Sequence, residues 1–432
     1  MAQNSTLFTA ISLLVFSIFS HCQALTLEAL CESTPHPPVC KSVLPVGPPG
    51  SVSGFASIVI IKSLEASKHL LASFDQHHPT TGPLDDCQLL AGLTVDQLTR
   101  VNVIKETVLG TSEVNDLLTL LSAAITNYET CLGSFHDATG ESSENFVKDH
   151  HDILTRVSDG IKLISVSLAL SKEAWPIASD ASVTKPPPRI LTEDEKKSSS
   201  PEVSYVKVTK PVSGRGFIAR DITFRNTAGP HNRQAVALRV DSDQSAFFRC
   251  SMEGYQDTLY AHSLRQFYRE CEIYGTIDFI FGNGAAVLQN CKIYTRVPLQ
   301  LQKVTITAQG RKSPNQNTGF VIMNSYVLAT QPTYLGRPWK LYSRTVYMNT
   351  YMSQLVQPRG WLEWFGNFAL DTLWYGEYNN IGPGWRASGR VKWPGYHIMD
   401  KRTAMSFTVG SFIDGRRWLP ATGVTFTAGL AN

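Results

Sequence analysis

The chain is 432 residues long, 43% hydrophobic and 17% charged, and 39 Lys and Arg against 36 Asp and Glu leave a formal net charge of +3. That composition carries enough apolar residues for two ordinary globular domains with full cores. The Lys and Arg are scattered rather than clustered, which argues against nucleic acid as a partner and leaves a mildly basic protein compatible with a polyanion.

Residues 1–24 hold an apolar run from Ala10 to Phe19 and end in Cys22-Gln23-Ala24, where a signal peptidase would read small residues. The run is too short to span a bilayer, so it reads as a cleaved signal peptide and the mature protein is expected to be secreted, with no membrane segment. Once Cys22 leaves, seven of the 8 cysteines remain, so an oxidising compartment leaves one unpaired.

Residues 25–175 read as helices. Leu64, Ser67, Leu70, Leu71 and Phe74 recur at three- and four-residue steps, as do Leu117, Leu118, Leu121, Ala124 and Tyr128, the period of amphipathic helices in a bundle. Cys31 and Cys40 are near enough to staple a hairpin, and Cys87 and Cys131 sit in two helix-like segments that a bridge would tie together. Residues 176–203, rich in Pro, Ser and charge without apolar period, read as an exposed linker.

From 204 to 432 the pattern changes to strands. Within Phe247–Ile293, Cys271 follows Cys250 by 21 residues, Asp278 follows Asp257 by 21, and Cys291 follows Cys271 by 20. A fixed period of this length marks stacked repeats, and the β-branched and aromatic content makes each repeat a coil of strands. The expected fold is therefore an all-α four-helix bundle followed by an all-β right-handed parallel β-helix. Residues one coil apart stand on adjacent rungs, about 4.8 Å from each other, so Asp257 and Asp278 are expected side by side. Two carboxylates that close do not both ionise easily, which suits one to act as nucleophile and the other as acid. Taken singly each Asp would be read as a turn residue; the period and the adjoining Gln256 favour catalysis. Cys250, Cys271 and Cys291 form a ladder in which neighbouring rungs allow a disulfide, and spacing does not choose between the two pairings. No CxxC, Cys/His cluster, HExxH or GxSxG is present, and nothing calls for a metal or an organic cofactor.

Several segments, namely GYQDTLY (Gly254 to Tyr260), HSLRQFYREC, GTIDFIFGN (Gly275 to Asn283), ITAQGR, YLGRPW (Tyr334 to Trp339) and WYGEYNNIGPG, together resemble the plant pectin methylesterases, secreted carbohydrate esterases with a parallel β-helix. The likeness runs from about Gly216 to Leu430. The helical region with its two cysteine pairs resembles the pectin methylesterase inhibitor domain that precedes many of these enzymes as a pro-region, and Arg189-Ile190-Leu191 resembles their processing sites. The resemblance implies Asp278 as nucleophile toward the methyl ester of a galacturonate unit, Asp257 as acid and then base, and Gln234 and Gln256 as oxyanion donors. It implies Arg337 as the group orienting Asp278, with Trp339, Trp361, Tyr260 and Phe281 forming the sugar groove. It also implies a Cys271–Cys291 disulfide, with Cys250 free. The expected substrate is methyl-esterified pectin of the plant cell wall, acted on by a monomer, and other pectin methylesterases are possible partners of the bundle.

One departure stands out. Family enzymes have several coils before a segment like GFIARDITFRNTAGP, whereas here Gly216 follows the linker almost at once, so the β-helix is expected to be truncated at its N-terminal end, leaving an uncapped rung. A smaller shortening precedes Tyr334. Loss of activity, with the chain acting instead as a pectin-binding or esterase-inhibiting protein, is the alternative this departure supports.

Overall fold

The computed structural model describes residues 26–45, 51–74, 82–103, 109–137, 150–176, 204–205 and 211–430. The signal peptide, the linker and its Arg189-Ile190-Leu191 site lie outside these residues, apart from Pro176.

Two short helices, α1 (Leu27–Glu32) and α2 (Pro37–Val43), are joined by a Cys31–Cys40 disulfide. Four long helices follow: α3 (Val52–Phe74), α4 (Pro83–Asn102), α5 (Thr111–Asp137) and α6 (His151–Ala174). The periodic apolar positions are the buried ones. Val59, Leu64, Leu90, Leu98, Leu121, Ala124, Val157 and Ile164 share one core, and Cys87–Cys131 ties α4 to α5 inside it. Gly160 is required on α6, because a Cβ there would meet the Tyr128 ring at 2.7 Å. The four-helix bundle is present as expected.

Residues 211–430 form a parallel β-helix with three sheets of seven, six and eight strands among the described residues. Its register follows the sequence period. Phe247 pairs with Tyr268, Ile280 with Leu259 and Ile273 with Ile293, and Phe247 stacks on Tyr268 at 4.9 Å between ring centroids. Inward side chains such as Val240, Met252, Ile273, Leu288 and Ile322 fill the coil interior. One corner of each coil turns through a left-handed residue, in succession Asp221, Arg249, Glu270, Asn290, Asn324, Asn349 and Asn379. Asn tolerates that conformation better than most side chains, which is why it dominates this corner. The outer face of the eight-stranded sheet is closed by residues after 400, where Phe407, Val409, Trp418 and Leu419 cover Phe267, Val287, Val321 and Val346.

The first rung is short. Ser204–Tyr205 pairs with Ile222 and Thr223 and supplies a two-residue edge strand at the end where the truncation was expected, and on the strand Ile218–Arg220 the side chain of Ile218 stays exposed.

The expected Cys271–Cys291 bridge is not formed. Cys250, Cys271 and Cys291 are all buried thiols, and Cys271 and Cys291 direct their sulfurs at backbone carbonyls, Cys271 to Phe247 and Arg269, Cys291 to Tyr268 and Gln289. The ladder was placed correctly; adjacency on neighbouring rungs did not dictate a bond.

Candidate active site

Asp278, Thr305 and Arg337 descend through three consecutive strands of the six-stranded sheet, at Ile277–Gly282, Val304–Gln309 and just after Thr333–Gly336. The register between the first two shifts between Ile277 and Ile280, so Asp278 stands at an irregularity with φ 49° instead of in the ladder. Asp257, one coil earlier, has φ 62°. Both aspartates hold the left-handed conformation that Asp tolerates better than most side chains.

Arg337 grips Asp278 with a fork: Nε donates to Oδ1 at 2.9 Å and the terminal nitrogen to Oδ2 at 2.6 Å. Thr305 donates its hydroxyl to Oδ1 at 2.7 Å and accepts from the Asp278 backbone N–H at 3.0 Å. The Asp278 carboxylate is nearly buried, so three fixed donors set its orientation. The guanidinium of Arg337 lies over the ring of Trp364 at 4.2 Å, which fixes it from the other side.

Asp257 has a different environment. Burial first, and the negative charge of Asp278 second, push its carboxyl up to about 8, with Arg337 opposing. It is therefore protonated at neutral pH beside a carboxylate already held by an arginine. Gln234 and Gln256 bridge on adjacent rungs and border the same cavity.

That cavity has a volume of about 1160 Å³. An aromatic surface lines it: Tyr260 stacks on Phe281 at 4.2 Å, and Phe281 meets Trp339 edge-on at 6.0 Å. Gly310 allows Trp339 to lie flat there, since a Cβ would come within 2.8 Å of the indole. Trp361, in contrast, is not in the groove. It is fully buried, stacks on Tyr375 at 4.0 Å and donates to Glu377 at 3.2 Å. The sugar-facing reading of Trp361 is corrected: the aromatic near the site is Trp364, three residues on in the same WLEWF segment. Thr305 escaped sequence reading because it follows Asp278 by 27 residues, off the 20- to 21-residue period.

The remaining wall comes from the bundle. Helix α5 brings Thr126, Glu129, Thr130, Gly133 and Ser134 to the cavity. It is anchored there by Asn283 Nδ2 donating to Thr126 at 2.9 Å, by Thr130 against His262 Nε2 at 2.7 Å and by Lys312 Nζ 3.4 Å from Glu129. Also on the cavity wall, Arg239 bonds Asp86 of α4 at 2.8 Å; outside the cavity, Arg265 bonds Asp116 of α5 at 2.6 Å, and Leu264 is buried in the bundle's core. Among the described residues no group of three or more His, Cys, Asp or Glu could hold a metal ion, and no helix is long and apolar enough to cross a membrane.

Comparison with known proteins places this geometry. Residues 155–416 match the family Pectinesterase, and residues 26–170 match Plant invertase/pectin methylesterase inhibitor. The chain is 95% identical over 229 residues to the "Putative pectinesterase/pectinesterase inhibitor 22" of Arabidopsis thaliana, a match covering 53% of this chain and 42% of that one. It thus spans less than half the length of that relative. A second Arabidopsis thaliana protein, "Probable pectinesterase/pectinesterase inhibitor 7", is 35% identical across 99% of this chain and 100% of its own length. That alignment runs over 582 positions against 432 residues here, so at least 150 positions (582 − 432) have no counterpart in this chain. Among solved structures, a pectin methylesterase from carrot shares 56% identity and a TM-score of 0.50, covering 51% of this chain and 72% of the carrot enzyme. By its sequence and by its parallel β-helix, the chain belongs to the pectinesterase family and carries an inhibitor-like helical domain ahead of the family's catalytic fold.

Proposed function

We propose that this chain is a secreted carboxylic ester hydrolase that removes methyl esters from pectin, releasing methanol and leaving galacturonate carboxylates. The observation carrying the reading is the asymmetric carboxylate pair: Asp278 is forked by Arg337, while Asp257 titrates at about 8. Asp278 attacks the C6 ester carbonyl, and Gln234 and Gln256 donate to the oxygen as it gains negative charge. Collapse breaks the bond to methoxide, which takes the proton of Asp257 and leaves as methanol. An anhydride joins Asp278 to the sugar. Asp257, now ionised, takes a proton from water; the hydroxide attacks the sugar acyl carbon and returns Asp278 as carboxylate. Tyr260, Phe281 and Trp339 offer flat faces to sugar rings.

Residues 1–24 act in this reading as the signal peptide, 25–175 as a pro-region, 176–203 as a linker open to processing, and 204–432 as the catalytic domain of a monomer in the plant cell wall. The two disulfides of the bundle support an oxidising destination. A second reading, in which the truncated domain is impaired and the bundle binds other pectin methylesterases, draws support from α5 forming a wall of the cavity. The deciding experiment is methanol release from highly methyl-esterified pectin. Release that disappears in Asp278→Asn, with folding retained, is expected; release unchanged in that variant refutes the mechanism.

A further inference from the structure

Arg337 stands just after Thr333–Gly336, and among the described residues that strand is an end strand of the six-stranded sheet. Along its outer edge runs segment 355–362, which forms no strand of its own and meets it through two isolated bridges, Thr333 to Val356 and Gly336 to Trp361. Four backbone bonds make the join: the N–H of Thr333 donates to Leu355 at 2.9 Å, Leu335 to Gly360 at 2.7 Å, Gln357 to Thr333 at 2.8 Å and Leu362 to Gly336 at 3.0 Å. The grip of Arg337 on Asp278 is therefore only as well placed as this segment.

The segment is held from inside the coil by one ion pair. The side chains of Glu377 and Arg390 are fully buried, and Arg390 Nε donates to Glu377 Oε1 at 2.9 Å. The pair reaches the segment at two points: a terminal nitrogen of Arg390 donates to the Pro358 carbonyl at 2.9 Å, and the Trp361 indole N–H donates to Glu377 Oε1 at 3.2 Å. Such a pair is a poor stabiliser in itself, because desolvation offsets its attraction. What it supplies is direction. The guanidinium donors lie in one rigid plane, so Glu377 on one side fixes where the carbonyl on the other must stand.

We infer that Glu377 and Arg390 are positioning residues for ester hydrolysis: acting through Pro358 and Trp361, they set the height of segment 355–362 and with it the fork of Arg337 on Asp278. The inference rests on the esterase reading for its chemistry. Neither side chain lines the cavity, so neither meets the substrate.

The test uses the full chain, with methanol release from highly methyl-esterified pectin and hydrogen exchange followed by mass spectrometry. Arg390→Lys keeps a charge opposite Glu377 and loses the planar fork. Its kcat should fall on the order of tenfold, as small displacements of a catalytic group do, with KM little changed. Arg337→Lys alone is expected to lower kcat roughly 30-fold, and independent losses would multiply to about 300-fold in the double variant. If Arg390 acts through Arg337, the double variant instead stays near the single Arg337→Lys value. The amides of Leu335 and Leu362 should exchange faster in Arg390→Lys while those of Ile277–Gly282 keep their rate. Should Arg390→Lys fail to fold by circular dichroism, Trp361→Phe, which removes only the N–H given to Glu377, carries the same readouts. An unchanged kcat, multiplying losses, or exchange that is unchanged or faster throughout the chain overturns the inference. If the unaltered chain releases no methanol, the esterase reading fails, and faster exchange confined to 333–337 and 355–362 still supports the hold on Arg337.

Discussion

Replacing Asp257 by Asn should stabilise the β-helix at alkaline pH while ending turnover. In the folded chain this carboxyl titrates at about 8 against an ordinary value of 3.8, because it is largely shielded from water beside Asp278. A folded pKa above the unfolded one means the native state keeps a proton the unfolded chain has released. Stability from this group is thus full below about pH 4 and is lost as pH rises toward and through 8. Between pH 5 and pH 8 the loss is at most ~3.6 kcal/mol, at about 1.36 kcal/mol per unit. Residual solvent contact brings the working figure to about 2 kcal/mol. Asn cannot titrate, so its stability curve over that range should be flatter by this amount. Urea unfolding followed by tryptophan fluorescence at pH 5 and pH 8, for both proteins, reads the difference directly. Methanol release by Asp257→Asn should fall by about two orders of magnitude or more, since no proton reaches the leaving group. Parallel pH curves for the two proteins would refute the raised pKa, and with it the role of Asp257 as the initial acid.

Three further outcomes are expected. Arg337→Lys exchanges a two-point grip on Asp278 for one, a loss of about 2 kcal/mol, so kcat for methanol release should drop roughly 30-fold; an unchanged kcat would mean the fork does not orient the nucleophile. Trp361→Ala opens a cavity beneath Tyr375 and should cost about 3–5 kcal/mol in unfolding free energy, yet leave KM for pectin unaltered, whereas a raised KM would return this ring to the groove. Alkylation in urea without reductant, followed by peptide mass spectrometry, should label Cys250, Cys271 and Cys291 and spare the Cys31–Cys40 and Cys87–Cys131 pairs; an unlabelled Cys271 and Cys291 would restore the bridge.

The fold was legible because both halves repeat. Three- and four-residue steps named the buried faces of α3 and α5, and the 21-residue offset of Asp257 and Asp278 is the same offset that pairs Leu259 with Ile280. Legibility stopped where the coils change length. Thr305 and Arg337 reach Asp278 from strands 27 and 59 residues away, offsets no constant period predicts. Arg337 was reachable only through the family motif GRPW, and Thr305 through nothing. Trp361 and Trp364 were indistinguishable by type and spacing; only the bridge of Trp361 to Gly336 decides which indole enters the core to meet Glu377 and which faces Arg337. The cysteine ladder shows the same limit at finer scale, since rung spacing permits a bond that side-chain direction then declines.

How the bundle is held on the β-helix follows from charge. The second and third coils, behind the end strand Val212–Arg215, carry a set of charges that apolar neighbours could not satisfy. Asp243 and Arg265 are buried against each other, and Arg265 spends a further nitrogen on Asp116 of the bundle. Arg239 is shared between Asp241 and Asp86 of α4, and His262, bonded to Asp241 through Nδ1, offers Nε2 to Thr130. Each of these chains runs from the β-helix into a helix of the bundle. Buried ions cost more than their attraction returns unless every partner is in place, so the two domains are held in one relative position by polar matching and not by apolar contact alone. That position sets α5 along the cavity, and it is the reason Glu129 meets Lys312 there.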